Sequence, residues 1–223
     1  MRFRIDLKIF ILIIIFILTK QIKIYAMIML FAIIHEFGHL IAGILLGMKA
    51  EKFNIKLFGV SIDFSIRKND YNNKIKKANY LEIKKIFIAL AGPLTNILIT
   101  IFLIVFNSFN INNNDRLLMI FSNIVLIIFN ILPIYPLDGG RILKGVIYIF
   151  RGKYIAEKYI HNISYITLII LTMISSVAVL YLKNVAIFFA IIFLWLLQIK
   201  ENMIYRNRRK IYKIISQDLQ SHH

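Results

Sequence analysis

The stretch IIHEFGHLIAGILLG, from Ile33 to Gly47, places two histidines and a glutamate inside an otherwise apolar segment. His35 and His39 are four residues apart, so a helix brings both side chains to one face, with Cβ atoms about 5–6 Å apart. That spacing lets two imidazole nitrogens reach one Zn²⁺ at about 2.0–2.1 Å each. Glu36 lies beside the first histidine, where its carboxylate can take a proton from a metal-activated water. The stretch predicts His35 and His39 as metal ligands and Glu36 as a general base.

The apolar surroundings strengthen this interpretation. A charged side chain costs about 3 kcal/mol or more at the centre of a membrane helix. No Lys or Arg lies between Ile24 and Gly47 to pair with Glu36. A purely structural pair of histidines would leave this glutamate unexplained, so metal binding is the better interpretation.

The rest of the chain has the composition of a membrane protein. It has 223 residues, 59% of them hydrophobic, and a mean hydropathy of +0.73, whereas soluble domains are nearer half apolar. Its apolar runs are continuous rather than alternating, which favours helices over a barrel. We predict an all-α polytopic membrane protein with about six transmembrane helices. The predicted spans cover about 5–19, 24–47, 86–106, 117–134, 163–182 and 185–199.

The basic residues predict an orientation. The net charge is +17, and the Lys/Arg-rich segments 49–85, 138–158 and 200–223 fall on one side if all six spans cross. The positive-inside rule then places both termini in the cytoplasm. Residues 1–199 form the predicted membrane domain and residues 200–223 a basic cytoplasmic tail. The excess charge is explained by membrane orientation and anionic lipid, so we predict no nucleic-acid partner.

One segment does not have a helical pattern. Lys52–Ile66 alternates apolar and polar residues around Gly59, which predicts a small β-hairpin on the cytoplasmic side. The hairpin either covers the helix ends or offers a strand edge to an extended peptide.

A catalytic zinc site usually has three protein ligands, and the third candidate is Asp138, in NILPIYPLDGGRIL (Asn130–Leu143). Pro133 and Pro136 should interrupt the helix before it, and Gly139 and Gly140 should keep the backbone open beside the carboxylate. The alternative is that Asp138 only caps a helix that starts near Arg141.

The segment AGPLTN, from Ala91 to Asn96, adds small and polar residues to the third span. Gly92 should let helices approach closely, and Asn96 should form a hydrogen bond across helices. The chain has no cysteine, which excludes thiolate metal sites and disulfides.

Three motifs together resemble the site-2 protease family (peptidase family M50) of intramembrane zinc metalloproteases. They are HEFGH (His35–His39), AGPLTN and NILPIYPLDGG (Asn130–Gly140), and the last resembles the Asn-Pro-Asp-Gly motif of that family. The chain is most similar to the stage IV sporulation protein FB group, which cleaves a sigma-factor precursor. Many members of that group carry a C-terminal nucleotide-sensing CBS domain, and we expect none here, because the residues after Ile199 are too few for such a domain.

The resemblance implies a Zn²⁺ cofactor held by His35, His39 and Asp138, with Glu36 as the general base. It implies that Asn130 holds the substrate strand or polarises its carbonyl, and Pro133, Pro136 and Gly139 complete the predicted substrate-binding segment. The expected partners are a membrane-associated protein substrate, the bilayer and inhibitory membrane proteins. Two alternatives stay open: a metal-binding transporter or scaffold without proteolysis, and a site-2 protease that releases an anti-sigma factor.

Overall fold

The computed structural model describes residues 2–5, 22–56, 59–65, 75–106, 112–182 and 185–221. These residues form two compact units, Met1–Ile131 and Leu132–His223. The elements of the first unit are β1 (Arg2–Ile5), α1 (Ile22–Leu45), β2 (Lys49–Lys56), β3 (Gly59–Ser65), α2 (Ile75–Val105) and α3 (Asn113–Ile131). Those of the second unit are α4 (Asp138–Arg151), α5 (Lys153–Leu182) and α6 (Val185–Ser221).

Four of the described helices are long and apolar enough to cross a membrane. The candidate spans are Ile22–Leu45, Asn79–Val105, Asn113–Ile131 and Lys153–Ala178. They correspond to the second, third, fourth and fifth predicted spans, so membrane-spanning helices are confirmed in these places by length and composition. The predicted count of six is not confirmed.

The two remaining predicted spans have different outcomes. The first, at 5–19, lies outside the described residues except for Ile5, which ends β1. The last, at 185–199, is the beginning of α6, which continues without a break to Ser221. The described part of the predicted tail is therefore helical, because no proline or glycine interrupts the chain between Val185 and Ser221.

A small sheet accompanies the helices of the first unit, with the strand order β1-β2-β3. β2 and β3 pair antiparallel from Lys49↔Ser65 to Lys56↔Gly59, within the segment where the alternating pattern predicts a hairpin. β1 pairs parallel with β2, and this third strand was not predicted. The fold class is therefore largely helical, with one three-stranded sheet among the described residues.

The sheet contacts the C-terminal part of α1 through one close approach. A Cβ atom on Gly43 would lie 2.2 Å from Cε1 of Phe64 in β3, so only glycine leaves room for this ring. α1 then ends at Leu45, and Gly47 has a φ of 75°. The amide of Met48 donates to the carbonyl of Gly43 at 2.9 Å, a bond typical of a glycine-terminated helix.

The first unit also buries polar groups between α2 and α3. Asn123 donates its side-chain amide to the backbone carbonyl of Asn96 at 2.7 Å and to the hydroxyl of Thr100 at 2.8 Å. The predicted bond across helices at Asn96 therefore uses the backbone carbonyl of this residue, whereas the donating side chain comes from Asn123. Such polar contacts stabilise helix pairs where no water is available.

Candidate metal centre

The two histidines of the HEFGH motif face each other on α1. His35 is 3% exposed and His39 is 4% exposed, and their ring centroids are 4.7 Å apart. The two Nε2 atoms lie 3.1 Å from each other. Two nitrogens that each bind zinc at about 2.05 Å in tetrahedral geometry are about 3.3 Å apart. The pair therefore has the donor type and the spacing that a zinc ion requires.

A carbonyl of α2 sets the protonation of His39. Its Nδ1 atom lies 2.6 Å from the backbone oxygen of Ile88. A carbonyl oxygen can only accept, so Nδ1 carries the proton, and the lone pair of the neutral ring is on Nε2. This arrangement is typical of metal-bound histidines, whose second nitrogen donates to a carbonyl or carboxylate.

Helix α2 also leaves room for both rings. A Cβ atom on Gly92 would lie 2.5 Å from Nε2 of His35 and 2.5 Å from both Cε1 and Nε2 of His39. Real contacts between such atoms are not that short, so any other residue here would push the rings away. The motif AGPLTN predicted close helix packing, and the structure adds that this glycine lies against the two candidate ligands.

The packing of α1 on α2 also involves Gly38, which lies between the two histidines in the sequence. A Cβ atom on Gly38 would lie 2.2 Å from the hydroxyl oxygen of Thr95 and 3.0 Å from the carbonyl oxygen of Ala91. The hydroxyl of Thr95 already donates to the carbonyl of Ala91 at 2.8 Å. The backbone of α1 therefore approaches α2 closely, and this contact fixes where the histidines lie.

Glu36 and Asn130 are the other site residues predicted in the first unit. Glu36 is partly buried on α1 and points about 100° around the helix axis from His35. Asn130 lies near the end of α3, where its side-chain amide donates to the carbonyl of Leu126 at 3.1 Å. This bond is local to α3 and supports no particular role of Asn130 toward a substrate.

Asp138 lies in the second unit, at the first residue of α4. It is a buried carboxylate, with 4% of its surface exposed, and a guanidinium nitrogen of Arg141 is 3.7 Å away. The alternative that Asp138 only caps a helix starting near Arg141 is wrong, because α4 already starts at Asp138. The N-cap of this helix is Leu137, which makes no side-chain cap bond. A carboxylate in the first turn is stabilised by the helix dipole and needs a further reason for its burial.

The segment before Asp138 is irregular, as its prolines predict. α3 ends at Ile131, two residues before Pro133. The amide of Ile134 donates to the carbonyl of Leu132 at 2.7 Å, and the amide of Leu137 donates to that of Ile134 at 2.8 Å. A Cβ atom on Gly140 would lie 2.5 Å from the carbonyl carbon of Ile134. Gly140 is therefore required for packing, whereas Gly139 had been predicted to contact substrate.

Comparisons with known proteins agree with these features. Residues 115–174 match the model of peptidase family M50. A zinc metalloprotease of Methanocaldococcus jannaschii is 32% identical over 120 residues, which are 52% of this chain and 31% of that protein. Stage IV sporulation protein FB of Bacillus subtilis is 25% identical over 127 residues, which are 56% of this chain and 41% of that protein. The alignments thus span less than half of either relative.

A solved structure extends the similarity to the fold. The site-2 protease from Methanocaldococcus jannaschii matches with a TM-score of 0.65 and 23% sequence identity, over 89% of both chains. At this identity the match shows a shared fold. The family match, the two relatives and this fold all agree with the motifs, so the chain is similar to members of peptidase family M50, the site-2 protease family.

Proposed function

We propose that this chain is an intramembrane zinc metalloendopeptidase that cleaves a membrane-associated or transmembrane protein. The observation that carries the proposal is the buried pair His35 and His39, whose Nε2 atoms lie 3.1 Å apart on a helix apolar enough to span a membrane. The alternative of a structural histidine pair does not explain why α2 carries a glycine where a side chain would displace both rings.

Asp138 is the proposed third ligand. Buried carboxylates are nearly always paired or bound to a metal, and Arg141, its ion-pair partner at 3.7 Å, has a side chain that is 48% exposed. Two imidazoles and one carboxylate are a common ligand set of catalytic zinc sites, which leave the fourth position open.

The proposed reaction is the hydrolysis of a peptide bond. A zinc ion held by His35, His39 and Asp138 would supply Lewis-acid chemistry to the scissile carbonyl and to water. Glu36 takes one proton from the attacking water as its oxygen bonds to the carbonyl carbon. The C–N bond then breaks, and Glu36 returns that proton to the leaving amine nitrogen. The second proton of the water passes from the new carboxyl group to the amine, so the products are a carboxylate and an ammonium group, and Glu36 ends in its starting state.

The substrate contacts are a finer proposal. We assign substrate binding to Asn130, Pro133, Pro136 and Gly139, and to the edge of β3, whose backbone can pair with an extended peptide. The similarity to stage IV sporulation protein FB supports a sigma-factor precursor as the substrate. Release of an anti-sigma factor is the alternative substrate role. We further propose that the chain lies in the bilayer with both termini in the cytoplasm. Inhibitory membrane proteins are proposed as additional partners.

Zinc binding gives the first test. The purified chain should contain about one zinc per molecule, and Asp138→Asn should weaken zinc binding by about 100-fold or more because one of three protein ligands changes from a carboxylate to a neutral amide. Zinc content is measured by atomic absorption and affinity by competition with a chelator. A folded parent chain that takes up no zinc would contradict the mechanism.

The substrate is tested by co-expression. The parent chain is produced together with sigma-factor precursors, anti-sigma factors and other membrane-anchored proteins, and the fragments are followed by immunoblotting. Cleavage of a sigma-factor precursor alone would support the sporulation role. Cleavage of an anti-sigma factor alone would favour the alternative role, and no zinc-dependent cleavage of any of them would favour the transporter or scaffold.

A further inference from the structure

Ser164 of α5 is hydrogen-bonded to the segment that precedes Asp138. Its side chain is fully buried, with 0% of its surface exposed. Its hydroxyl oxygen accepts a hydrogen bond from the backbone amide of Tyr135 at 3.0 Å. The same hydroxyl donates to the backbone carbonyl of Pro133 at 3.5 Å. One side chain therefore holds the segment on both sides of Ile134.

These bonds matter because the segment has few backbone donors. Pro133 and Pro136 have no amide hydrogen, so only Ile134 and Tyr135 can donate between them, and the amide of Ile134 already donates to Leu132. A buried amide without a partner is unfavourable, and the hydroxyl of Ser164 supplies this partner. Ile134, the residue between the two bonds, is 0% exposed and packs against Gly140 of α4.

Other serines of α5 behave differently. The hydroxyls of Ser175 and Ser176 donate to carbonyls three residues earlier in the same helix, at 3.0 and 2.8 Å. Such local bonds are the usual choice of a serine inside a helix. The hydroxyl of Ser164 instead bonds with Pro133 and Tyr135, about 30 residues earlier in the chain, which indicates that it serves that segment.

An ion pair between Glu157 of α5 and Lys144 of α4 lies on the same face of α5 as Ser164. Glu157 and Ser164 are seven residues apart, or two helical turns, so both lie on one side of α5. Glu157 is 5% exposed and lies 4.0 Å from the ammonium group of Lys144 in α4 and 3.1 Å from the guanidinium of Arg208 in α6. The ammonium group of Lys144 also lies 4.5 Å from the centre of the Tyr135 ring.

Tyr135 is thus held at two points, its amide by Ser164 and its ring by Lys144. Burial raises the pKa of its hydroxyl above the usual 10.0, and the charge of Glu201 adds to this shift. The phenol is therefore neutral at physiological pH, and the contact with Lys144 is a cation–π interaction rather than an ion pair.

We infer that Ser164 is a positioning residue for Asp138: by fixing the Pro133–Tyr135 backbone, it sets where the carboxylate at the start of α4 points. The inference rests on the proposed function, since it assumes that Asp138 is a zinc ligand. Ser164 itself is not among the proposed zinc ligands or substrate-binding residues. Residues that orient metal ligands typically change metal affinity by about 10–100-fold when they are replaced.

The test compares Ser164→Ala with Ser175→Ala, two single-oxygen deletions on the same helix. Zinc affinity of the purified full chain is measured by chelator competition, and thermal unfolding of the zinc-free chain is followed by circular dichroism. We expect Ser164→Ala to bind zinc about tenfold more weakly than the parent, and its zinc-free form to unfold at a lower temperature than that of Ser175→Ala because the buried amide of Tyr135 loses its partner. Ser175→Ala should keep the parent affinity.

Two outcomes would overturn the inference. One is equal zinc affinity in the two variants, and the other is a Ser164→Ala chain that fails to fold or loses only thermal stability. Asp138→Asn, measured in parallel, distinguishes the role of Asp138 as a zinc ligand from the positioning role of Ser164. If it loses zinc while Ser164→Ala does not, the proposed function stands and the positioning role is wrong. If it binds zinc like the parent, both the third ligand and the positioning role are wrong.

Discussion

Replacing Glu36 with glutamine is expected to abolish cleavage while leaving zinc bound. Glutamine has nearly the same shape but cannot take a proton from water, so the rate should fall by about 10²–10⁴-fold, the usual contribution of a general base. The zinc content should stay at the parent level because Glu36 is not among the proposed ligands. Cleavage of a membrane-anchored substrate is measured with the purified proteins, together with bound zinc.

The matched control is Glu82→Gln on α2. Glu82 forms an ion pair with Lys85 at 2.6 Å and belongs to neither the proposed ligand set nor the proposed reaction. This variant should cleave at the parent rate. If Glu36→Gln cleaves as fast as Glu82→Gln, the proposed protease mechanism is wrong. A transporter or scaffold would bind zinc in all three proteins and cleave in none of them.

Replacing Gly92 with alanine should remove the metal site without removing any ligand. The added Cβ would overlap with ring atoms of both His35 and His39, at 2.5 Å from each Nε2 atom. The rings are the movable groups at this contact, so they should shift out of the geometry that zinc requires. We expect zinc affinity to fall by about 100-fold and stability by about 1–3 kcal/mol from overpacking.

Gly43→Ala separates the loss of metal affinity from the loss of stability. Its Cβ would be equally overpacked, at 2.2 Å from the Phe64 ring, but this contact lies about one helical turn beyond His39 and involves β3 rather than the imidazoles. Chelator competition and thermal unfolding are measured for both variants. Gly43→Ala should lose stability yet keep the parent zinc affinity. A Gly92→Ala chain with unchanged zinc affinity would mean that the close contact does not constrain the rings.

The sequence alone was enough to predict a membrane protein with several spanning helices and most of the candidate site residues. His35 and His39 are visible as a pair because four residues on a helix return a side chain to the same face, and this depends on local geometry alone. The membrane spans are visible because a bilayer requires about 20 consecutive apolar residues. Pro133 predicted the end of α3, since proline acts on the residues next to it.

The limits of the helices and strands were harder to predict from the sequence. α4, with only 14 residues, was not predicted as a helix of its own from Asp138, and at about 21 Å it is too short to show as a span. The parallel strand β1 was also not predicted, because its partners are about 50 residues away in β2. A parallel pair depends on contacts that no local pattern contains.

Only the tertiary structure assigned the residues that hold the site in place. The tautomer of His39 depends on the carbonyl of Ile88, 49 residues later, and the space for both imidazoles depends on Gly92. Ser164 was not predicted as a site residue, because nothing in the sequence distinguishes it from the other serines of α5. Its role depends on its bonds to Pro133 and Tyr135, which only the tertiary structure shows. The HEFGH motif supplies two histidines through local helix geometry, whereas the tautomer of His39 and the room for both rings come from a second helix packed against the first.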